Sequence, residues 1–226
     1  MVVLSEGEHV VEGSWTGPNG FVYENTLDTT CSNISFIGQG KDTTTVHGGI
    51  GVSNKMNVTV KSLTLTNPNG YHGLLVGGEE ALLEMMDVNV KACAGCGLSV
   101  ASSASIKATQ CEFSENGGNG VVVRGGSKRI FTDCFFHHNG LDGVYANGEG
   151  TVVELRGEQT EIYHNGEDGL FAATNATINI YIPSRSITAL VHDNKEGSDL
   201  STYIGGKIKS QLSSSSLELT VIHPVA

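Results

Sequence analysis

The sequence predicts an all-β solenoid, a chain wound into stacked coils of about 23–24 residues, on three observations. The first is a recurring phrase. Asn116-Gly117-Gly118-Asn119-Gly120-Val121-Val122-Val123 returns as Asn139-Gly140-Leu141-Asp142-Gly143-Val144-Tyr145-Ala146 and as Asn165-Gly166-Glu167-Asp168-Gly169-Leu170-Phe171-Ala172, with weaker copies beginning at Asn69 and Cys93. The second is spacing: the anchoring glycines Gly49, Gly73, Gly97, Gly120, Gly143 and Gly169 stand 24, 24, 23, 23 and 26 residues apart, a period that marks a stack of similar units. The third is alternation. Each anchoring glycine is followed by an apolar, a variable and another apolar residue, and a second alternating pair such as Cys111/Phe113 or Cys134/Phe136 precedes each Asn; period two means strand, and no unit carries a helical apolar stripe.

Taken in order, Met1 to Glu8 enters as a strand. Trp15 stands just before the turn Gly17-Pro18-Asn19-Gly20 and is read as a hydrophobic cover over the first coil, with sugar stacking as the alternative. Residues 1–48 form irregular N-terminal coils, residues 49–197 the regular ones. After Gly197 the pattern decays: Ser198 stands where the anchoring glycine is due, Gly205-Gly206 reads as a turn, Ser213 to Ser216 as a polar loop and Leu217 to Ile222 as a last strand. Residues 198–226 are therefore expected to cap a single domain spanning 1–226, since a solenoid must protect its end from pairing.

Stacking turns sequence positions into columns. In a parallel coil stack equivalent residues lie about 4.8 Å apart. Asn69, Asn116, Asn139, Asn165 and Asn194 then form an amide ladder at a bend, interrupted by Cys93, and the neighbouring Gly70, Gly117, Gly140 and Gly166 suggest positive φ there.

These copies resemble the right-handed parallel β-helix repeats of the pectin-lyase-like superfamily, over roughly Cys31 to Gly197, and the tract Ile34 to Val46 is similar to the early coil of such proteins. The resemblance implies a single-stranded right-handed parallel β-helix. It implies no particular activity, because the superfamily holds lyases, hydrolases, esterases, epimerases and non-catalytic adhesins. The lyase tract Trp-Ile-Asp-His, the hydrolase Gly-His-Gly, the methylesterase Gln-Asp-Thr-Leu and the epimerase Asp-Pro-His are all missing; the one tryptophan is Trp15, and only Tyr71-His72-Gly73 comes near the hydrolase tract. Catalytic residues stay unknown at this level.

A formal charge of −11, with Lys128-Arg129 the densest basic pair, argues against nucleic acid or an anionic membrane as partner. No apolar run is long enough to span a bilayer. The start lacks a charged segment followed by an apolar one, so no secretion signal is read and the compartment is left open. Five cysteines, Cys31, Cys93, Cys96, Cys111 and Cys134, favour free thiols, with Cys111 and Cys134 as apolar fillers of one inward column and Cys93-Ala94-Gly95-Cys96 a lone pair without metal-site company.

Chemistry is expected on columns that packing does not explain, on the outer side of the coils anchored at Gly120, Gly143 and Gly169. Asn119, Asp142 and Asp168 share one column; His138 and His164 share another with Glu115; Tyr145 and Phe171 share an outward one in line with Val122. Carboxylates one coil apart suit a calcium ion or an acid/base pair, and outward aromatics suit a sugar ring. Ordinary turn chemistry explains Asp and Asn before Gly equally well. The expected function is a non-catalytic module that binds a carbohydrate polymer or a protein on its outer face, with a carbohydrate-active enzyme or a purely structural repeat as alternatives. No cofactor beyond a possible calcium is expected. With no capping helix before the first strand, end-to-end self-association is expected too.

Overall fold

The computed structural model describes residues 1–219 apart from positions 18, 19, 55, 79, 127, 183, 196–198, 213 and 214. Alternating Val, Leu and Ile put one side of each strand inward, and the chain closes on itself by winding, not by pairing hairpins. Three faces result. The first is an eight-stranded sheet built from the segments after the anchoring glycines, from Thr26–Asp28 through Val121–Arg124, Val144–Asn147 and Leu170–Ala173 to Leu200–Tyr203. Its rows are parallel and in register, Leu98 on Val121, Val121 on Val144, Val144 on Leu170 and Leu170 on Leu200. The other two faces belong to one sixteen-stranded sheet, because the long strands Asn57–Thr66 and Leu82–Lys91 run round the corner between them, with Ser62 and Asp87 at positive φ. In later coils the same corner breaks the strand, as between Ser105–Thr109 and Glu112–Ser114.

Between the faces lies a single apolar column in which Leu63, Leu65, Leu83, Leu98, Leu155 and Leu170 are fully buried. Each such side chain contributes roughly 1.5–3 kcal/mol relative to exposure. Phe113 and Phe136 stack from adjacent coils with centroids 5.4 Å apart, and Phe131 meets both edge-on. Cys111 and Cys134 fill the neighbouring inward column as free, fully buried thiols. This much agrees with the reading of the sequence, including the all-β coil and its parallel stack.

Several expectations are corrected. Asn69 is exposed and stands outside the amide ladder; Asn67 takes the place, its carbonyl accepting from Ala94 N as those of Cys93, Asn116 and Asn139 accept one coil on. The bend between Asn67 and Gly73 is simply longer than its later copies. Positive φ falls on the residue before the ladder, at Ala92, Glu115, His138, His164 and Asp193, and not on Gly117, Gly140 or Gly166. Those glycines are needed for proximity: a Cβ on Gly140 would lie 2.4 Å from the carbonyl oxygen of Gly117. One helical turn does occur, Ile187–Leu190, capped by Ser186 at the corner ahead of Val191–His192. It lengthens that coil without breaking the stack, because Ile162 still pairs with Val191.

At the C-terminal side the anchoring position is held by Asp199, whose carbonyl accepts from Leu170 N. The bend after Asn194 is one residue longer than the four positions after Asn165; Gly197 and Ser198 lie outside the described residues. The last described residues form an antiparallel pair, Lys207–Leu212 with Ser215–Leu219; Ser213, Ser214 and the tract 220–222 of the expected last strand lie outside the described residues. At the other side Val2–Val3 and Gly7–Val10 pair with Ile34–Ile37 and Thr44–His47, so the first residues add a row to the sheet. Trp15 does not cover the end of the stack: it lies sideways on the first face, and the turn beside it, at Pro18 and Asn19, falls outside the described residues.

Candidate functional site

The outward column of the first face reads Gly51, Leu75, Ser99, Val122, Tyr145, Phe171. Near its N-terminal end the antiparallel hairpin Ser14–Thr16 and Val22–Glu24 lies across it. Between the hairpin and Arg124 the column forms the floor of a groove of about 750 Å³, whose lining includes Tyr23, His72, Ser99, Asn119, Val122 and Arg124. Beyond Val122 the floor continues as Tyr145 and Phe171, stacked at 5.1 Å with 18° between their planes, and the Arg124 guanidinium lies 5.8 Å from the Tyr145 ring centre. An offset aromatic pair with a cation on one face is an amphipathic shelf.

A second column runs along the bend that edges this groove. It holds the residue before each anchoring glycine: His72, Cys96, Asn119, Asp142 and Asp168. These are linked coil to coil. Cys96 N donates to His72 Nδ1 at 2.9 Å, Asn119 Nδ2 donates to Asp142 Oδ2 at 2.9 Å, Asp168 N donates to Asp142 Oδ1 at 3.0 Å, and Ser201 Oγ donates to Asp168 Oδ1 at 2.7 Å. Asp142 is buried, not the solvated outer carboxylate expected, because its neighbours in the stack take up both oxygens. Burial pushes its carboxyl up to about 7, and the charge of Asp168 adds to the effect while the bonds from Asp168 N and Asn119 oppose it. Burial likewise lowers His72 to about 4, leaving it a neutral imidazole. Cys93 is raised to about 12 and Cys96 is raised as well, both by burial first, so neither is a thiolate near neutral pH.

The predicted site residues fall into two groups. Asn119, Asp142, Asp168, Tyr145 and Phe171 stand together along the first face. His138 and His164 lie round the bend with the third face, where their rings touch those of His137 and Tyr163. There His137, Tyr163 and His192 form a stacked row of their own, with centroids 4.7 and 5.6 Å apart, flanked by Glu112 and Glu161. His138 is held below its ordinary value by burial and then by the adjoining His137 and His164, and His192 above it by its bonds to Glu161 and Asp193. Among the described residues no three His, Cys, Asp or Glu side chains gather as a metal-binding group.

Three contributors escaped the sequence reading. His72 belongs with Cys96 to the Asn119 column, and its place before Gly73 was the available signal. Arg124 and Tyr23 gave none, lying outside the repeated phrase, whereas Trp15 is read there as a cover over the first coil with sugar stacking as the alternative. Arg129, half of the densest basic pair, is fully buried: its Nη2 donates to Ser102 O at 3.0 Å and Gly125 O at 3.1 Å, which fixes the turns carrying that wall of the groove.

A single chain wound in parallel coils with a stacked-residue bend is a right-handed parallel β-helix. The family model described as "Right handed beta helix region" matches residues 48–186, and the chain belongs to that family. None of the curated proteins compared with it matches. Among solved structures, Geobacillus virus E2 ORF18 is similar with a TM-score of 0.50 at 13% identity, covering 95% of this chain and 54% of that one. The A-module of Azotobacter vinelandii mannuronan C-5 epimerase AlgE6 gives a TM-score of 0.33 at 13% identity, covering 89% and 70%; that of AlgE4 gives 0.29 at 12%, covering 94% and 91%. The chain spans about half the length of the viral protein it matches. At such identities the likeness is one of fold.

Proposed function

We propose that the chain is a non-catalytic binding module that takes a linear carbohydrate polymer along the groove of its first face. The observation that carries this is the Tyr145/Phe171 shelf continuing the groove floor in the same column. Its rows repeat at the coil spacing, about 4.8 Å, close to the rise of one sugar ring in an extended glycan. Aromatic faces take the apolar faces of sugar rings, and the His72–Asn119 edge with Arg124 offers hydrogen-bonding groups at their rims. The net charge of −11 leaves Arg124 as a local exception, fitted to an electron-rich rim group rather than to a polyanionic surface.

The test is a glycan array with and without calcium, followed by titration of the best binder. Tyr145→Ala and Phe171→Ala should each weaken it about tenfold, the scale of one lost aromatic contact of about 1–1.5 kcal/mol. No binding to any glycan, or binding indifferent to both substitutions, overturns the proposal. A lyase- or hydrolase-like activity is the second reading, favoured by one observation: a carboxyl near 7, at Asp142, is poised for acid/base work. Both its oxygens are already bonded, so binding ranks first. Release of unsaturated or reducing-end products that stops in Asp142→Asn would reverse that order.

A further inference from the structure

The geometry points to a groove closed at its N-terminal end, so that the module recognises the terminus of a glycan chain and not its interior. This rests on the groove being the glycan site. The floor column has one position without a side chain, Gly51, and the indole of Trp15 occupies that space: a Cβ on Gly51 would lie 2.5 Å from the ring. Trp15 is only 3% exposed, packed between the floor and Tyr23, whose ring stacks on it at 5.5 Å and 28°. From Tyr23 the aromatic contacts continue to Tyr71 at 6.4 Å and His72 at 6.1 Å, and Tyr71 meets His72 edge-on at 4.2 Å. Trp15, Tyr23, Tyr71 and His72 therefore make one partition, running from the sheet floor to the bend that edges the groove.

The partition is built into the fold. Trp15 pairs with Tyr23 in the hairpin, Gly17 N donates to Phe21 O, and Thr26 N donates to Gly13 O where the hairpin rejoins the first face. At the opposite end the floor runs on over Val122 to Tyr145 and Phe171, both half-buried. A linear ligand lying on this column meets the partition at one end and open surface at the other. From the Leu75 row to the Phe171 row are four coil steps, about 19 Å, which sets the length beyond which further sugars find no matching floor. His72 is suited to the terminal unit. Its Nδ1 accepts from Cys96 N, which leaves Nε2 as the protonated nitrogen, and its lowered pKa keeps the ring a neutral donor across the physiological range.

The experiment uses linear cello-, manno-, xylo- and galacturono-oligosaccharides, each tethered in turn through its reducing and its non-reducing end, with the matching long polymers as competitors. One tethering direction should bind at least tenfold better than the other, and affinity should stop rising once the chain exceeds the five-row floor. Opening the partition above Trp15 with Tyr23→Ala plus Tyr71→Ala, while Trp15 stays on Gly51, should abolish the preference and let internal segments compete; circular dichroism and melting confirm that this variant is folded. Tyr71→Ala alone, at a side chain 52% exposed, should weaken the preference severalfold without touching the fold. Equal binding of both tethering directions by the unaltered protein overturns end recognition and leaves the groove reading standing. Absence of binding in every format overturns the groove reading and end recognition with it.

Discussion

Two polar columns flank the same short bend, and they differ in kind. From Asn116 on, the inner one repeats a single residue: Asn116, Asn139, Asn165 and Asn194 each accept from the main-chain N–H of the preceding coil's ladder residue, and from its side-chain amide wherever that residue is Asn. Asn116, Asn139 and Asn165 also donate to the carbonyls of Val90, Phe113 and Phe136, and Asp199 closes the run by accepting from Asn194. The column at the groove edge, three residues further along each coil from Cys93 on and five after Asn67, reads His72, Cys96, Asn119, Asp142, Asp168. Its environment is equally regular, yet no residue type is kept beyond two rows. Where the stack itself needs an amide, the same amide recurs. Where the residues change from row to row, the stack's needs do not explain them, and that is where a ligand has room to act.

Breaking the first column should have the largest effect. Asn139→Ala leaves the buried Asn116 N–H without its acceptor and takes one hydrogen bond from the Phe113 carbonyl, which keeps its place in the strand ladder. At roughly 1–3 kcal/mol for the orphaned N–H and about 1 kcal/mol for the further bond lost, the loss should be about 3 kcal/mol, read as a shift of the denaturant midpoint. A loss under about 1 kcal/mol would mean that the ladder is no more structural than the groove edge.

The groove-edge column answers to pH instead. Asp142 has a folded value near 7, above the ordinary carboxylate value of about 3.9. Between those values the folded protein keeps a proton that the unfolded chain has released, so stability is full at the acid side and falls as pH rises from about 4 to about 7. The ceiling is about 4 kcal/mol at 1.36 kcal/mol per unit, and relaxation around the bend should reduce it to about 2 kcal/mol. Asp142→Asn removes the slope: it should melt higher than the parent at pH 8 and no higher at pH 4. Parallel melting curves across that range would show that Asp142 is ionised in the folded protein.

The contrast also explains what could be read from the chain. Coil period and side-chain alternation are both local in sequence, so the faces, the inward Cys111/Cys134 pair and most of the amide ladder were legible. Asn69 misled because the even count of 24 residues from Gly49 to Gly73 hides a bend of six positions after Asn67 in place of the four after Asn116. Asp142 misled because alternation says nothing at a bend: its burial depends on Asn119 and Asp168, each a coil away. Trp15 is read in the sequence as a cover over the first coil, and its seat on the floor has no signal there, since its partner Gly51 lies outside any repeat the hairpin shares. One tryptophan against one missing side chain leaves no periodic trace.

The smallest effect separates the two groups of candidate residues. His138 holds φ 56°, as do its column mates Glu115 at 56° and His164 at 53°, a conformation that a side chain makes unfavourable. His138→Gly relieves that strain at the expense of a freer unfolded chain, and the balance should be a gain of about 0.5 kcal/mol. Glycan affinity should not change, because His138 touches His137, Tyr163 and His164 on the third face and does not line the groove. A tenfold loss of affinity in this variant would carry the site round the bend onto the histidine row. The column beside the groove would then be a second kind of ladder, varied in residue type but structural in purpose.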